Sequence, residues 1–454
     1  MKKIFFPVAL LLVLCFTKTY SQVQFGNLSL KEALQKAKAS DKMVMLQIES
    51  DECTECNTVA MQGFANPVLG NAVNASCVSI KVKAGTKEFQ EIDSVYHIAT
   101  TLGIVFLNSD GSFLLKYPAS TSRYATYMEQ LTKALDKKQH PDTEYAQMLI
   151  DYQNGKRDFD LLYKLVAKKN ELQLDHDQLT DEMISAAPKD SAGSPYFLAF
   201  VTRQSPVINS KADTYIHANQ RIFIDGWYLM PAQERSMING RINAKSKEKA
   251  IKEKNIAYAQ QIASRTAQTY SERSAAIKSY DKNMLDYYKG VKDTTTYLHA
   301  SVKYYDQYLM TISVDSIRKA DSVNKQEQLT KIPPNVLKEP GANQMMTKTI
   351  QFAPVAQFYT SQLNEAAWAL YTYTHDPAYT DKALAWAKRA TEFYDNPAAM
   401  DTYAKLLYRT GNKEEAIAWE EKAIKVLSDR RMVSAGYDDT SKKMKAGISP
   451  LDKY

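Results

Sequence analysis

The chain has 454 residues, 44% of them hydrophobic and 24% charged, with a formal charge of +7. That length suits roughly two to four domains of ordinary size, and the positive surplus is too small to argue for nucleic-acid binding. Beyond the N-terminus no run approaches the roughly twenty apolar residues of a membrane helix, so no membrane-spanning helix is expected.

The chain begins Met1-Lys2-Lys3, continues with an apolar run from Ile4 to Phe16, and reaches Gln22 through Thr17, Lys18 and Ser21. A basic start, an apolar stretch too short to span a bilayer and a small residue before Gln22 read as a signal peptide, residues 1–21, cleaved after Ser21. Leu14 is bulkier than the residue expected before a lipid-bearing cysteine at Cys15, so a soluble, exported and periplasmic product is expected. Losing Lys2, Lys3 and Lys18 lowers the formal charge from +7 to +4. Three cysteines then remain, Cys53, Cys56 and Cys77. Outside the cytosol a close pair is expected to be oxidised unless something reduces it.

Leu30, Ala33, Leu34 and Ala37 recur at helical spacing. The compact run from Met43 to Ile48 reads as a buried strand, and the cysteines lead into a helical stretch. Val78 to Val82 alternates as a second strand. A short helix near Phe89 to Ile98 precedes a third strand, Gly103 to Leu107. Asn108-Ser109-Asp110-Gly111 makes a turn to Phe113-Leu114-Leu115, and Tyr124 to Leu135 closes the unit as a helix. The expected order is α-β-α-β-α-β-β-α.

That order, with Cys53-Thr54-Glu55-Cys56 where a buried strand passes into a helix and Val105 to Gly111 as a third strand and its turn, resembles the thioredoxin fold over roughly residues 26–138. The resemblance implies Cys53 as the exposed nucleophile and Cys56 as the resolving thiol of disulfide exchange. It also sets Glu52 where the family usually has an aromatic, Gln47 where many members carry a buried acid, and Leu102 where the family has a cis-proline.

A cysteine at a helix start is stabilised as thiolate by the helix N-terminus, whereas Asp51, Glu52 and Glu55 oppose that effect and favour a reduction-resistant pair. Three roles stay open for the pair. It can exchange disulfides, it can pin the helix start as a structural disulfide, or it can hold a metal with a third group such as Cys77 or His97. The last lacks the second cysteine pair usual in zinc sites. Cys77, at the head of a strand, reads as a small buried hydrophobe. No Ser-His-Asp order and no glycine-rich phosphate loop supports a hydrolase or a nucleotide enzyme, and no cofactor is expected.

Beyond Pro141 the pattern is helical. Tyr152 to Asp158, Tyr287 to Asp293 and Tyr408 to Glu414 all fit Tyr-x-x-Gly-x-basic-acidic. Glycine is expected to end one helix in the left-handed conformation, and the acidic residue to suit the next helix's N-terminus. Tyrosines such as Tyr287, Tyr288, Tyr304 and Tyr305 read as core and rim packing. The lysine-rich stretch from Lys245 to Lys254 reads as a solvated helix face. Ala383, Trp386 and Ala390 return thirty-three positions later as Ala416, Trp419 and Ala423. That period resembles tetratricopeptide repeats, which implies a stacked helical surface for protein partners.

The expected organisation is therefore an α/β thioredoxin-like domain (22–139) followed by an all-α region (140–330). A Pro-containing linker (331–354), tetratricopeptide-like hairpins (355–431) and a disordered tail (432–454) complete it. Two functions fit: thiol–disulfide exchange on exported proteins with the helices recruiting a protein partner, or a non-catalytic adaptor whose Cys53–Cys56 disulfide is structural.

Overall fold

The computed structural model describes residues 22–96, 98, 100–330, 354–430, 432 and 434–450. The expected leader, His97 and linker positions 331–353 lie outside the described residues. The chain forms two compact units that part between Ile238 and Asn239.

The first unit begins with a five-stranded sheet in the order β1-β3-β2-β4-β5. β1 (Phe25–Gly26), β2 (Met43–Glu49) and β3 (Cys77–Lys83) run parallel; β4 (Gly103–Leu107) is antiparallel to β2, and β5 (Phe113–Tyr117) to β4. Five helices accompany it: α1 (Leu30–Ala39), α2 (Thr54–Phe64), α3 (Pro67–Ser76), α4 (Lys87–Tyr96) and α5 (Tyr124–Gln139).

Strand β2 is central, and its apolar run is buried on both faces, as a sheet covered by helices on each side requires. Met43 and Met45 join Ile104 and Phe106 in a core against Phe64, Leu69 and Leu131 of α2, α3 and α5. Val44, Leu46 and Ile48 face the other way, toward Ala33, Ala37 and Ile92 of α1 and α4. Ser29 and Glu32 start α1 with a reciprocal capping box. The expected order is found, with two additions. Strand β1 is too short for an alternating signal, and the helical stretch after the cysteines is two helices because Asn66 caps α3 anew with Pro67 in its first turn.

Everything described after α5 is helical. The first unit continues with α6 (Thr143–Gln153), α7 (Phe159–Glu171), α8 (Asp177–Ala186), α9 (Lys189–Ala192), α10 (Pro195–Arg203), α11 (Lys211–Ala218) and α12 (Gln220–Leu229). The division between units falls within α13 (Ala232–Lys252). The second unit then holds α14 (Ile256–Ala267), α15 (Arg273–Gly290), α16 (Thr294–Tyr308) and α17 (Val314–Thr330). From residue 355 on come α18 (Val355–Tyr373), α19 (Pro377–Phe393), α20 (Pro397–Arg409), α21 (Lys413–Asp429) and α22 (Ala435–Lys445). No helix among the described residues is long and apolar enough to cross a membrane.

Helices α18 and α19 pack as a pair, as do α20 and α21. Ala383, Trp386, Ala390, Ala416 and Ala423 are fully buried, so the recurring small residues sit where helices approach closely. Trp419 packs against Tyr403. Tyr297, Tyr304 and Tyr305 are core residues, and Tyr305 lies 5.1 Å from Trp386.

The tail differs from expectation. Residues 435–445 form α22, whose Met444 is buried and whose Met444 carbonyl accepts from the Tyr408 hydroxyl at 3.4 Å. A single apolar anchor in a lysine-rich segment gives little periodicity to read.

Candidate functional site

Strand β2 delivers the chain to the cysteines. After Glu49 the buried Ser50 is clasped by Asn57 of α2: the Ser50 N–H donates to Asn57 Oδ1 at 3.1 Å, and Asn57 Nδ2 donates to the Ser50 carbonyl at 2.8 Å. This pair of hydrogen bonds fixes the 3₁₀ turn Asp51–Cys53 against the helix it precedes. Cys53 caps α2, with its Sγ accepting from the Cys56 N–H at 3.3 Å. Cys53 and Cys56 form a disulfide with their Cα atoms 5.2 Å apart, and both are half-buried.

One of the three acids that crowd the pair in sequence, Asp51, is matched by a cation. Asp51 is paired with Lys83 at 2.8 Å, and Glu49 with Lys81 at 2.6 Å. The side chains of Glu52 and Glu55 lie outside the described residues. Gln47, two residues before the end of β2, is 2% exposed and its Oε1 has no hydrogen-bond partner. It cannot take up a proton from a thiol.

Gly103 pairs with Ile48 in the antiparallel register, which carries Leu102 to the same end of the sheet as the cysteines. No cis peptide bond is found among the described residues, so Leu102 is trans. The Thr100 hydroxyl donates to the Leu102 carbonyl at 2.9 Å and braces this turn. Just upstream, Lys116 of β5 donates to the Ile98 carbonyl and to the Gln173 carbonyl beyond α7. Burial pushes its pKa down to about 8, with Asp93 opposing the shift.

Cys77 lies elsewhere. It pairs with Met43 at the start of β2, six strand positions from Glu49, on the order of 20 Å away. It therefore cannot share a metal with the pair. It is buried and free, and burial raises its thiol pKa to about 12, as a packing role requires. Among the described residues no group of three or more His, Cys, Asp or Glu side chains could hold a metal ion.

The sequence singled out Cys53 and Cys56, and the fold brings them together. It gave no sign of the Asn57 clasp or of Lys116, because each depends on carbonyls brought near by the fold.

A mixed sheet flanked by helices, with a Cys-x-x-Cys disulfide at the start of the helix after the central strand, fits a thioredoxin-like domain. A family model described as "Thioredox_DsbH: Protein of unknown function, DUF255" matches residues 19–144, spanning this sheet and its helices. No curated protein matches the chain.

Proposed function

We propose that the protein performs thiol–disulfide exchange on exported proteins in the periplasm, with tetratricopeptide-like helical hairpins recruiting the partner. The observation that carries this reading is the Cys56 N–H held 3.3 Å from Cys53 Sγ at the head of α2. In the reduced protein that donor and the helix N-terminus favour the Cys53 thiolate.

The thiolate attacks a substrate disulfide, forming a Cys53–substrate bond and releasing one substrate thiolate, which takes up a proton. Cys56 then loses its proton and attacks Cys53 Sγ, releasing the second substrate thiol. The substrate gains two electrons and the protein becomes a disulfide. An external dithiol must restore the reduced form.

Titrating the mature protein in a glutathione redox buffer while counting free thiols should show reversible cycling of this pair. Cys56→Ser should trap mixed disulfides through Cys53, and the double serine variant should trap none. A second reading, a non-catalytic adaptor with a structural disulfide, is favoured by the buried Gln47, an amide that cannot move a proton. A pair that stays oxidised in reducing buffer, beside a silent Cys56→Ser variant, would establish the adaptor in place of the enzyme.

A further inference from the structure

Helices α6, α7 and α8 pack in sequence and, with the β4–β5 turn and the last turn of α5, enclose a cavity of about 1140 Å³. It lies at the other end of the sheet from the cysteines. β2 runs toward Cys53 and β4 runs back, so the turn after Leu107 is carried away from the pair. Whatever the disulfide does, it does not act in this space.

The walls are largely apolar, formed by Phe113, Leu149, Leu165, Leu172, Leu174 and Leu179. Carboxylates on the rim are already engaged. Asp110 accepts from Ser112 at 2.6 Å, Asp142 pairs with Lys168 at 2.8 Å, and Asp175 accepts the Asp177 N–H at 3.0 Å. Asp136 lies 3.1 Å from His140.

The cations are not matched in the same way. Lys169 is half-buried and its Nζ donates to the Asp175 backbone carbonyl at 3.2 Å, with no carboxylate in ion-pair range among the described residues. Burial lowers its pKa, with Asp175 partly opposing. Lys137, also on the wall, likewise forms no ion pair among the described residues. A partly desolvated ammonium beside apolar surface is unfavourable without a counter-charge. Lys169 is such a cation, only partly offset by Asp175, and it favours an anion, while the fixed carboxylates around the rim disfavour a dianion such as phosphate.

We propose that this cavity binds a single-chain aliphatic carboxylate, with its head anchored on Lys169 and its hydrocarbon body against the leucines. Its size suits a small-molecule site, and an apolar wall with a few convergent polar groups is the usual make-up of one. Ala146 lines the same space from α6 and is exposed, so enlarging it narrows the cavity without entering the protein core.

The test is calorimetric titration of the full chain with decanoate, with decanol as the uncharged body and butyrate as the charge without the body. Decanoate should bind at one site and much more tightly than either. Lys169→Met keeps the aliphatic stem and removes the charge; it should weaken decanoate about ten- to a hundredfold, the loss of one charge-assisted hydrogen bond. Ala146→Phe should weaken decanoate and leave thermal unfolding of the free protein unchanged. Absence of decanoate binding, equal binding of decanol, or full affinity in Lys169→Met with a native unfolding transition would each overturn the proposal.

Discussion

Asp51 stands two residues before Cys53, and its charge is shared with Lys83 at 2.8 Å, both side chains being largely exposed. Removing the carboxylate by Asp51→Asn should stabilise the thiolates and so raise the potential of the pair. Lys83→Gln frees Asp51 and should lower it. An exposed pair is worth less than about 1 kcal/mol, so each shift should stay within roughly 20 mV. Equilibration with glutathione reads both; shifts of the same sign would mean the electrostatic account is wrong. At this scale Cys53 and Cys56 are legible in the sequence because the chemistry needs two sulfurs at fixed spacing after a strand. Asn57 and Lys116 are not, since an amide or a lysine becomes specific only when the fold delivers carbonyls to it.

Strands β2 and β4 follow from continuous apolar runs and β3 from alternation, whereas the helix-turn rule holds only in part. Gly155 and Gly411 take φ +91° and +90°, but in the middle segment Lys292 takes the left-handed conformation at φ +61°. Gly290 is instead needed for close approach, since a Cβ there would lie 2.5 Å from Ile251 Cδ1. Asp158 and Asp293 cap the following helices as expected, while α21 is entered through Asn412. Composition marks these turns but does not choose which residue absorbs the strain. Gly103 combines both demands: φ is +111° and a Cβ would sit 2.1 Å from the Tyr117 carbonyl oxygen. Gly103→Ala should therefore destabilise by more than about 2 kcal/mol, against about 1 kcal/mol for Gly155→Ala in open space. Urea unfolding compares them, and equal losses would remove the steric part of the argument. On α21, Glu420 is fully buried, and burial together with Asp401 raises its pKa to about 9, Lys405 opposing. The folded carboxyl keeps its proton while the unfolded one loses it near the ordinary value of 4.5. This contribution is most favourable below that value and is lost as pH rises toward about 9. Glu420→Gln should flatten that slope in urea unfolding measured from acid to alkaline pH; an unchanged slope would assign the effect to another group.

The organisation of the first unit was only half legible. A change from strand to helical patterning suggests a boundary near residue 139, yet the compact unit continues to Ile238. Hydrophobic period reports the type of element and not which elements share a core. Lys116 offers a measure of this continuity, because one of its two acceptors is the Gln173 carbonyl, beyond the α/β domain. In the folded chain burial holds its pKa near 8, below the ordinary 10.5 that the unfolded chain keeps. Between those values the unfolded state binds more protons, so this lysine makes stability rise with pH; below about 8 the penalty of burying its charge is present in full. A fragment covering 22–238 should show that rise in urea unfolding between about pH 8 and 10.5. A fragment covering 22–139 lacks Gln173 and the helices that shield the lysine, so its slope in that window should be smaller. Lys116→Met in the longer fragment should remove the rise as well, since methionine fills similar space without titrating. Equal slopes in the two unsubstituted fragments would mean that the sheet and α1 to α5 alone bury Lys116, and that residues 140–238 are energetically independent of the α/β domain.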